Sequence, residues 1–256
     1  MILGGKTALV TGAGAGLGRG IALAYAKYGA QVVVSDIDDD AGRETVGLIE
    51  RGDGRARYVH ADVTSPDECR HMVAAAVSFG GRLDIACNNA GVAPPSTPLA
   101  DTTDDEWRRV LGVDLDAVFY CARAEIQAML RTGGGVIVNM ASILGQVGFQ
   151  GLAPYVAAKH GVVGLTKQIA LEYAASGVRA WSIGPAFMKT GLEAALDESR
   201  GADRSTLILI DTHPLVATQA GGHWWDVAVP EVSVREQVNT ARKAYETALA
   251  GQRVGD

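Results

Sequence analysis

Thr7–Thr11 (TALVT) reads as a short buried strand, and Gly12, Gly14, Gly16 and Gly18 follow it directly. A helix is then expected from about Leu17 to Tyr28. This strand–glycine turn–helix unit constrains the fold more than any other feature of the chain. Its glycines let the backbone approach a diphosphate closely, and the free N–H groups at the helix start meet the negative charge. The spacing is Thr-Gly-x-x-x-Gly-x-Gly, distinct from the Gly-x-Gly-x-x-Gly fingerprint.

The same alternation continues downstream. Apolar strand-like runs occur at Ala8–Val10, Gln31–Ser35, Ala56–Val59, Leu83–Cys87, Gly135–Met140 and Val178–Ile183. Helical stretches lie between them at Asp39–Glu50, Pro66–Phe79, Asp104–Leu130 and Ala153–Ala175. Strands alternating with helices imply an α/β fold, here a single Rossmann-type doubly wound parallel sheet with right-handed crossovers. Ligands of such sheets bind at the carboxyl ends of the strands. The length of 256 residues suits one domain, 1–256.

A net charge of −6 argues against nucleic acid and anionic membranes as partners. Cys69, Cys87 and Cys121 are odd in number and widely spaced, as expected of reduced thiols with no disulfide or metal pattern. His160, His213 and His223 lack ligand spacing, so no metal is expected. The first residues contain no basic region followed by a long apolar core. No signal peptide or membrane span is therefore expected, and the expected location is cytoplasmic.

Tyr155 and Lys159 stand four residues apart at the start of a helical stretch, with Ser142 just past an apolar strand. Residues at i and i+4 share a helix face, where an ammonium favours the phenolate of a neighbouring tyrosine. Such a phenol suits proton exchange with an alcohol–ketone pair near neutral pH.

Six motifs occur in order along the chain: TGAGAGLG (Thr11–Gly18), Asp62-Val63, NNAG (Asn88–Gly91), Ser142, YVAAK (Tyr155–Lys159) and PAFMKT (Pro185–Thr190). From about Gly5 to Thr190 they resemble the short-chain dehydrogenase/reductase family. The resemblance implies an NAD(P)-dependent alcohol dehydrogenase or ketoreductase. Tyr155 would be the general acid/base, Ser142 would polarise the substrate oxygen, and Lys159 would also bind the nicotinamide ribose. Gly12, Gly16, Leu17 and Gly18 would cradle the cofactor. Asp62 and Val63 would flank the adenine, Asn89, Ala90 and Gly91 would line the floor, and Pro185 and Thr190 would meet the nicotinamide. Asp36 ends the second strand, where an acid accepts from the ribose hydroxyls and repels a 2′-phosphate, so the cofactor expected is NAD. Arg19 is not expected to serve as a phosphate ligand.

The chain also departs from the family. The fourth catalytic position, usually asparagine, is Asp114, which can accept but not donate as an amide does. Trp181 and Ala186 replace the usual asparagine and glycine around Pro185. The family-like core, 1–202, gives way to an atypical tail, 203–256. The tail holds an apolar strand (TLILI), an aromatic loop with Trp224 and Trp225, and an amphipathic helix from about Val234 to Ala250. It is similar to the C-terminal end of the trihydroxycyclohexanedione hydrolases, but lacks a thiamine-binding motif.

The function expected is NAD-dependent interconversion of a secondary alcohol and a ketone, on a polyol, a cyclitol or another small alicyclic compound. The alternatives are a dehydrogenase of steroid or other apolar alicyclic or aromatic alcohols, and a cofactor-binding protein with weak catalysis. An apolar pocket of Leu144, Val147, Phe149 and Phe187 would favour the steroid alternative. Small residues on exposed helix faces (Ala157, Ala158, Gly161, Gly164), together with the resemblance, imply a homodimer or homotetramer.

Overall fold

A computed structural model of the chain describes residues 1–185 and the backbone of 207–210. The described residues lie in a compact unit, Met1–Pro214. Thr190, the 186–206 segment and all of the tail beyond Ile210 fall outside them.

Among the described residues seven strands form one sheet: β1 (Thr7–Thr11), β2 (Gln31–Asp36), β3 (Arg55–His60), β4 (Ile85–Asn88), β5 (Gly135–Met140), β6 (Val178–Pro185) and β7 (Leu207–Ile210). Their spatial order is β3-β2-β1-β4-β5-β6-β7. The first six pair in parallel, as expected. The tail's TLILI run supplies β7, which pairs antiparallel with β6 and puts Ile183 opposite Leu209.

Helices α1 (Gly16–Lys27), α2 (Asp39–Arg51), α3 (Pro66–Gly80), α4 (Asp104–Leu111), α5 (Ala117–Leu130) and α6 (Ala153–Tyr173) cover both faces. Alternation along β1 sends Leu9 into a core with Met72, Leu83, Met129 and Ile137, and sends Val10 to the other side with Val32, Val34 and Ile49. Local chemistry starts three of the helices. Asp38 caps α2 through the N–H groups of Asp40 and Ala41, Ser65 caps α3 through that of Glu68, and Thr103 caps α4 through that of Glu106.

Two sequence expectations need correction. The helix read as continuous over Asp104–Leu130 is interrupted by a π-turn, Gly112–Asp116, in which the Ala117 N–H reaches back five residues to the Gly112 carbonyl. The wider turn carries Asp114 inward until it is fully buried. Ala158 is fully buried rather than exposed. The cysteines are all free and buried, but packing of α3 on α5 brings the Sγ atoms of Cys69 and Cys121 to 3.5 Å. Among the described residues no helix is long and apolar enough to cross a membrane.

Candidate active site

The motif residues gather at the carboxyl ends of the strands, around two adjoining clefts. The first, about 480 Å³, lies over β1–β3 and is lined by Gly12, Gly16, Leu17, Gly18, Asp36, Asp62, Val63, Asn89, Ala90 and Gly91. The second, about 440 Å³, lies over β4–β6 and contains Asp114, Ser142, Tyr155, Lys159 and Pro185. Leu17, Asn89, Gly91 and Val92 border both clefts.

The first cleft is built from backbone. A Cβ at Gly18 would stand 2.1 Å from the Gly12 carbonyl oxygen, so turn and helix can meet only with glycine there. Unlike α2–α4, helix α1 has no side-chain cap: Ala15 occupies that position and leaves the first N–H groups facing the cleft. The loop itself is held firmly. The Thr11 hydroxyl accepts from the N–H groups of Asn89 and Ala90 at 3.0 and 3.1 Å. The Asn89 amide donates back to the carbonyls of Thr11 and Gly12 at 3.0 and 3.2 Å. Asn89 is thus a strut of the cleft as well as part of its floor.

Asp36 reaches the glycine turn from the end of β2. Its carboxylate accepts from the Gly14 N–H at 2.7 Å and from the Asp38 N–H at 3.0 Å. Farther along, Asp39 and Asp40 are paired with Arg43, and Asp39 also with His60. Arg19, the nearby cation, is bound elsewhere: to Glu44 at 2.6 Å and Thr45 at 3.0 Å.

In the second cleft Ser142 ends the turn after β5, and its hydroxyl accepts from the Leu144 N–H at 3.1 Å. On α6, the four-residue spacing puts the Lys159 Nζ over the Tyr155 ring, 5.3 Å from its centre. Lys159 is 3% exposed. Its Nζ donates to the Met140 carbonyl at 3.1 Å and forms an ion pair with Asp114 Oδ1 at 3.0 Å. The other Asp114 oxygen accepts from the Val92 N–H at 3.2 Å. Burial pushes the Asp114 carboxyl above its ordinary range, against the opposing pull of Lys159, the Val92 N–H and Arg109. Gly91 makes this approach possible, since a Cβ there would lie 2.6 Å from Asp114 Oδ1.

Among the described residues the remaining walls are largely apolar, with Val92, Ala93, Pro94, Ile143, Leu144 and Leu152 beside Asn89. Sequence reasoning named Asn89 and Leu144 among these but missed the others, which sit in loops with no periodic signal. Val147 and Phe149 do not line the cleft and are 49% and 51% exposed, while Phe187 is outside the described residues. Sequence reasoning also missed the role of the Met140 carbonyl, a backbone atom that any residue could supply.

The short chain dehydrogenase family matches residues 6–201. Cyclohexanol dehydrogenase of Acinetobacter sp. (strain SE19) is 43% identical over 210 residues, covering 82% of this chain and 80% of that protein. A 3beta-hydroxysteroid dehydrogenase of Mediterraneibacter gnavus is 38% identical over 201 residues, covering 78% and 71%. Among solved structures, a short-chain type dehydrogenase/reductase from Mycobacterium marinum superposes with a TM-score of 0.70 at 37% identity, covering 72% of this chain and 76% of that one. The chain belongs to the short chain dehydrogenase family, oxidoreductases that use a nicotinamide dinucleotide to interconvert alcohols and carbonyl compounds.

Proposed function

We propose that the protein is an NAD-dependent dehydrogenase of a secondary hydroxyl on a saturated ring. The observation that carries this reading is the convergence of Ser142, Tyr155 and Lys159 on one cleft whose other walls are largely apolar. Such walls favour a ring bearing few hydroxyls over a cyclitol, because each additional buried hydroxyl needs a partner. A hydroxyl on a six-membered ring is also what cyclohexanol and a 3β-hydroxysteroid share, as the two relatives' names suggest. A steroid alcohol is the second reading, favoured by the relative from M. gnavus.

The first cleft fits a dinucleotide on its own geometry. The uncapped start of α1 offers N–H groups to a diphosphate, and the steric limit at Gly18 keeps the approach open. Asp36 would accept from the ribose hydroxyls. A 2′-phosphate would meet Asp36 with Arg19 already engaged, which favours NAD over NADP.

When bound, the nicotinamide accepts the hydride in alcohol oxidation and gives it back in ketone reduction. The Ser142 hydroxyl holds the substrate oxygen. Tyr155 takes the hydroxyl proton as the carbinol hydrogen leaves as hydride and the carbonyl forms; in the other direction it returns that proton. Lys159 supplies positive charge over the Tyr155 ring, and Asp114 positions Lys159. Pro185 and Thr190 would contact the nicotinamide end.

Oxidation of cyclohexanol, a 3β-hydroxysteroid and an inositol, each with NAD and with NADP, tests the reading. Turnover of a cyclic mono-alcohol with NAD is the expected result. Equal efficiency with the two cofactors would remove the NAD assignment, and activity confined to inositol would remove the apolar-ring assignment.

A further inference from the structure

Asp114 and Lys159 form a buried ion pair, and the Lys159 Nζ of that pair stands over the Tyr155 ring. Four charged or titratable groups meet there. Asp114 comes from the π-turn, Lys159 and Tyr155 from α6, and Arg109 acts on Asp114 from α4 while its own guanidinium is held by Glu106 at 2.8 Å. The uncharged neighbours are the Val92 N–H and the Met140 carbonyl.

A fixed negative charge favours the protonated form of every titratable neighbour. It therefore acts in the same direction on both members of the catalytic pair. We propose that Asp114 is a positioning residue that sets the working pH window of the Tyr155–Lys159 pair, moving both edges of that window upward together.

The inference rests on the proposed dehydrogenase chemistry, yet it can be measured without turnover. Protein labelled with ¹³Cζ-tyrosine and ¹³Cε-lysine is titrated by NMR with no cofactor or substrate present. Tyr155 and Lys159 are identified by the signals lost in Tyr155→Phe and Lys159→Met. In Asp114→Asn both titration midpoints are expected to fall, by about one pH unit or more. The pH–rate plateau for a cyclic alcohol should move down with them. Asp114→Ser, neutral and smaller, repeats the measurement if the amide disturbs the fold. A folded neutral variant with unmoved midpoints overturns the inference, whatever its turnover. Shifted midpoints without turnover of any alcohol support the inference while overturning the dehydrogenase reading.

Discussion

Asp114 and Glu125 are, among the described residues, the two fully buried carboxylates that follow α4, eleven positions apart in sequence, and they have opposite surroundings. Asp114 lies against an ammonium and opens onto the second cleft. Glu125 has no cation paired with it among the described residues: it accepts from Asn88 at 3.0 Å, Asn88 donates to Asn139 at 2.9 Å, and Asn139 donates to Thr166 at 2.9 Å. Burial pushes the Glu125 carboxyl up to about 7, with the Asn88 hydrogen bond opposing. One acid is charge-compensated and tied to chemistry. The other stitches β4, β5, α5 and α6 together and keeps its proton well above the pH at which an ordinary carboxyl loses it. The same side-chain chemistry thus divides into catalytic support and scaffold according to whether a cation shares the cavity.

The largest expected effect marks which side of this contrast carries the reaction. Tyr155→Phe should lower turnover by about 10²–10⁴-fold with an unchanged melting temperature, whereas Glu125→Gln should leave turnover near normal. Steady-state kinetics beside thermal melts check both; near-normal turnover in Tyr155→Phe would remove the catalytic assignment.

Next, Lys159→Met strands Asp114 without its cation. Stability should fall by about 3–5 kcal/mol at neutral pH, and adding Asp114→Asn should recover much of that loss. Urea unfolding of the single and double variants decides the point, since a double variant no more stable than Lys159→Met would mean that the charge pairing is immaterial.

Glu125 sharpens the contrast through pH. Its folded value of about 7 exceeds the ordinary 4.5, so the folded state binds the proton more tightly between those values. That contribution is fully present below about pH 4.5, fades as pH rises towards 7, and amounts to about 3 kcal/mol. Glu125→Gln should remove this slope, gaining relative to the parent between about pH 5 and about pH 8. Parallel unfolding curves across that range would show that Glu125 ionises freely in the fold.

The smallest effect belongs to a third acid, Asp36, which is reachable from solvent. Asp36→Ala should erode the preference for NAD over NADP by about tenfold, read as the ratio of kcat/KM values. An unaltered ratio would place the discrimination elsewhere.

Much of the site was legible because its chemistry depends on local spacing. Tyr155 and Lys159 meet through the helical repeat, and Gly12–Gly18 link one strand to the next helix. Asp36 was legible as the last residue of an apolar run. The π-turn was not, because it shifts the hydrogen-bond register by one residue without changing the composition of the helix. The Glu125–Asn88–Asn139–Thr166 chain and the Cys69–Cys121 approach were illegible for another reason. They join residues far apart in sequence, and only the packing of α3, α5 and α6 on the sheet brings those side chains together. The loop walls of the second cleft carry no periodicity at all.

The latch between Thr11 and Asn89 has an entropic consequence. Fixing a residue's backbone costs roughly 1–2 kcal/mol, and a glycine-rich turn would ordinarily lose more freedom than most on closing around a ligand. Here the Thr11 hydroxyl, the Asn89 amide and the Asp36 carboxylate have already fixed that turn during folding. An arriving dinucleotide meets a receptor that needs little further ordering, and more of its contact energy is expressed as affinity.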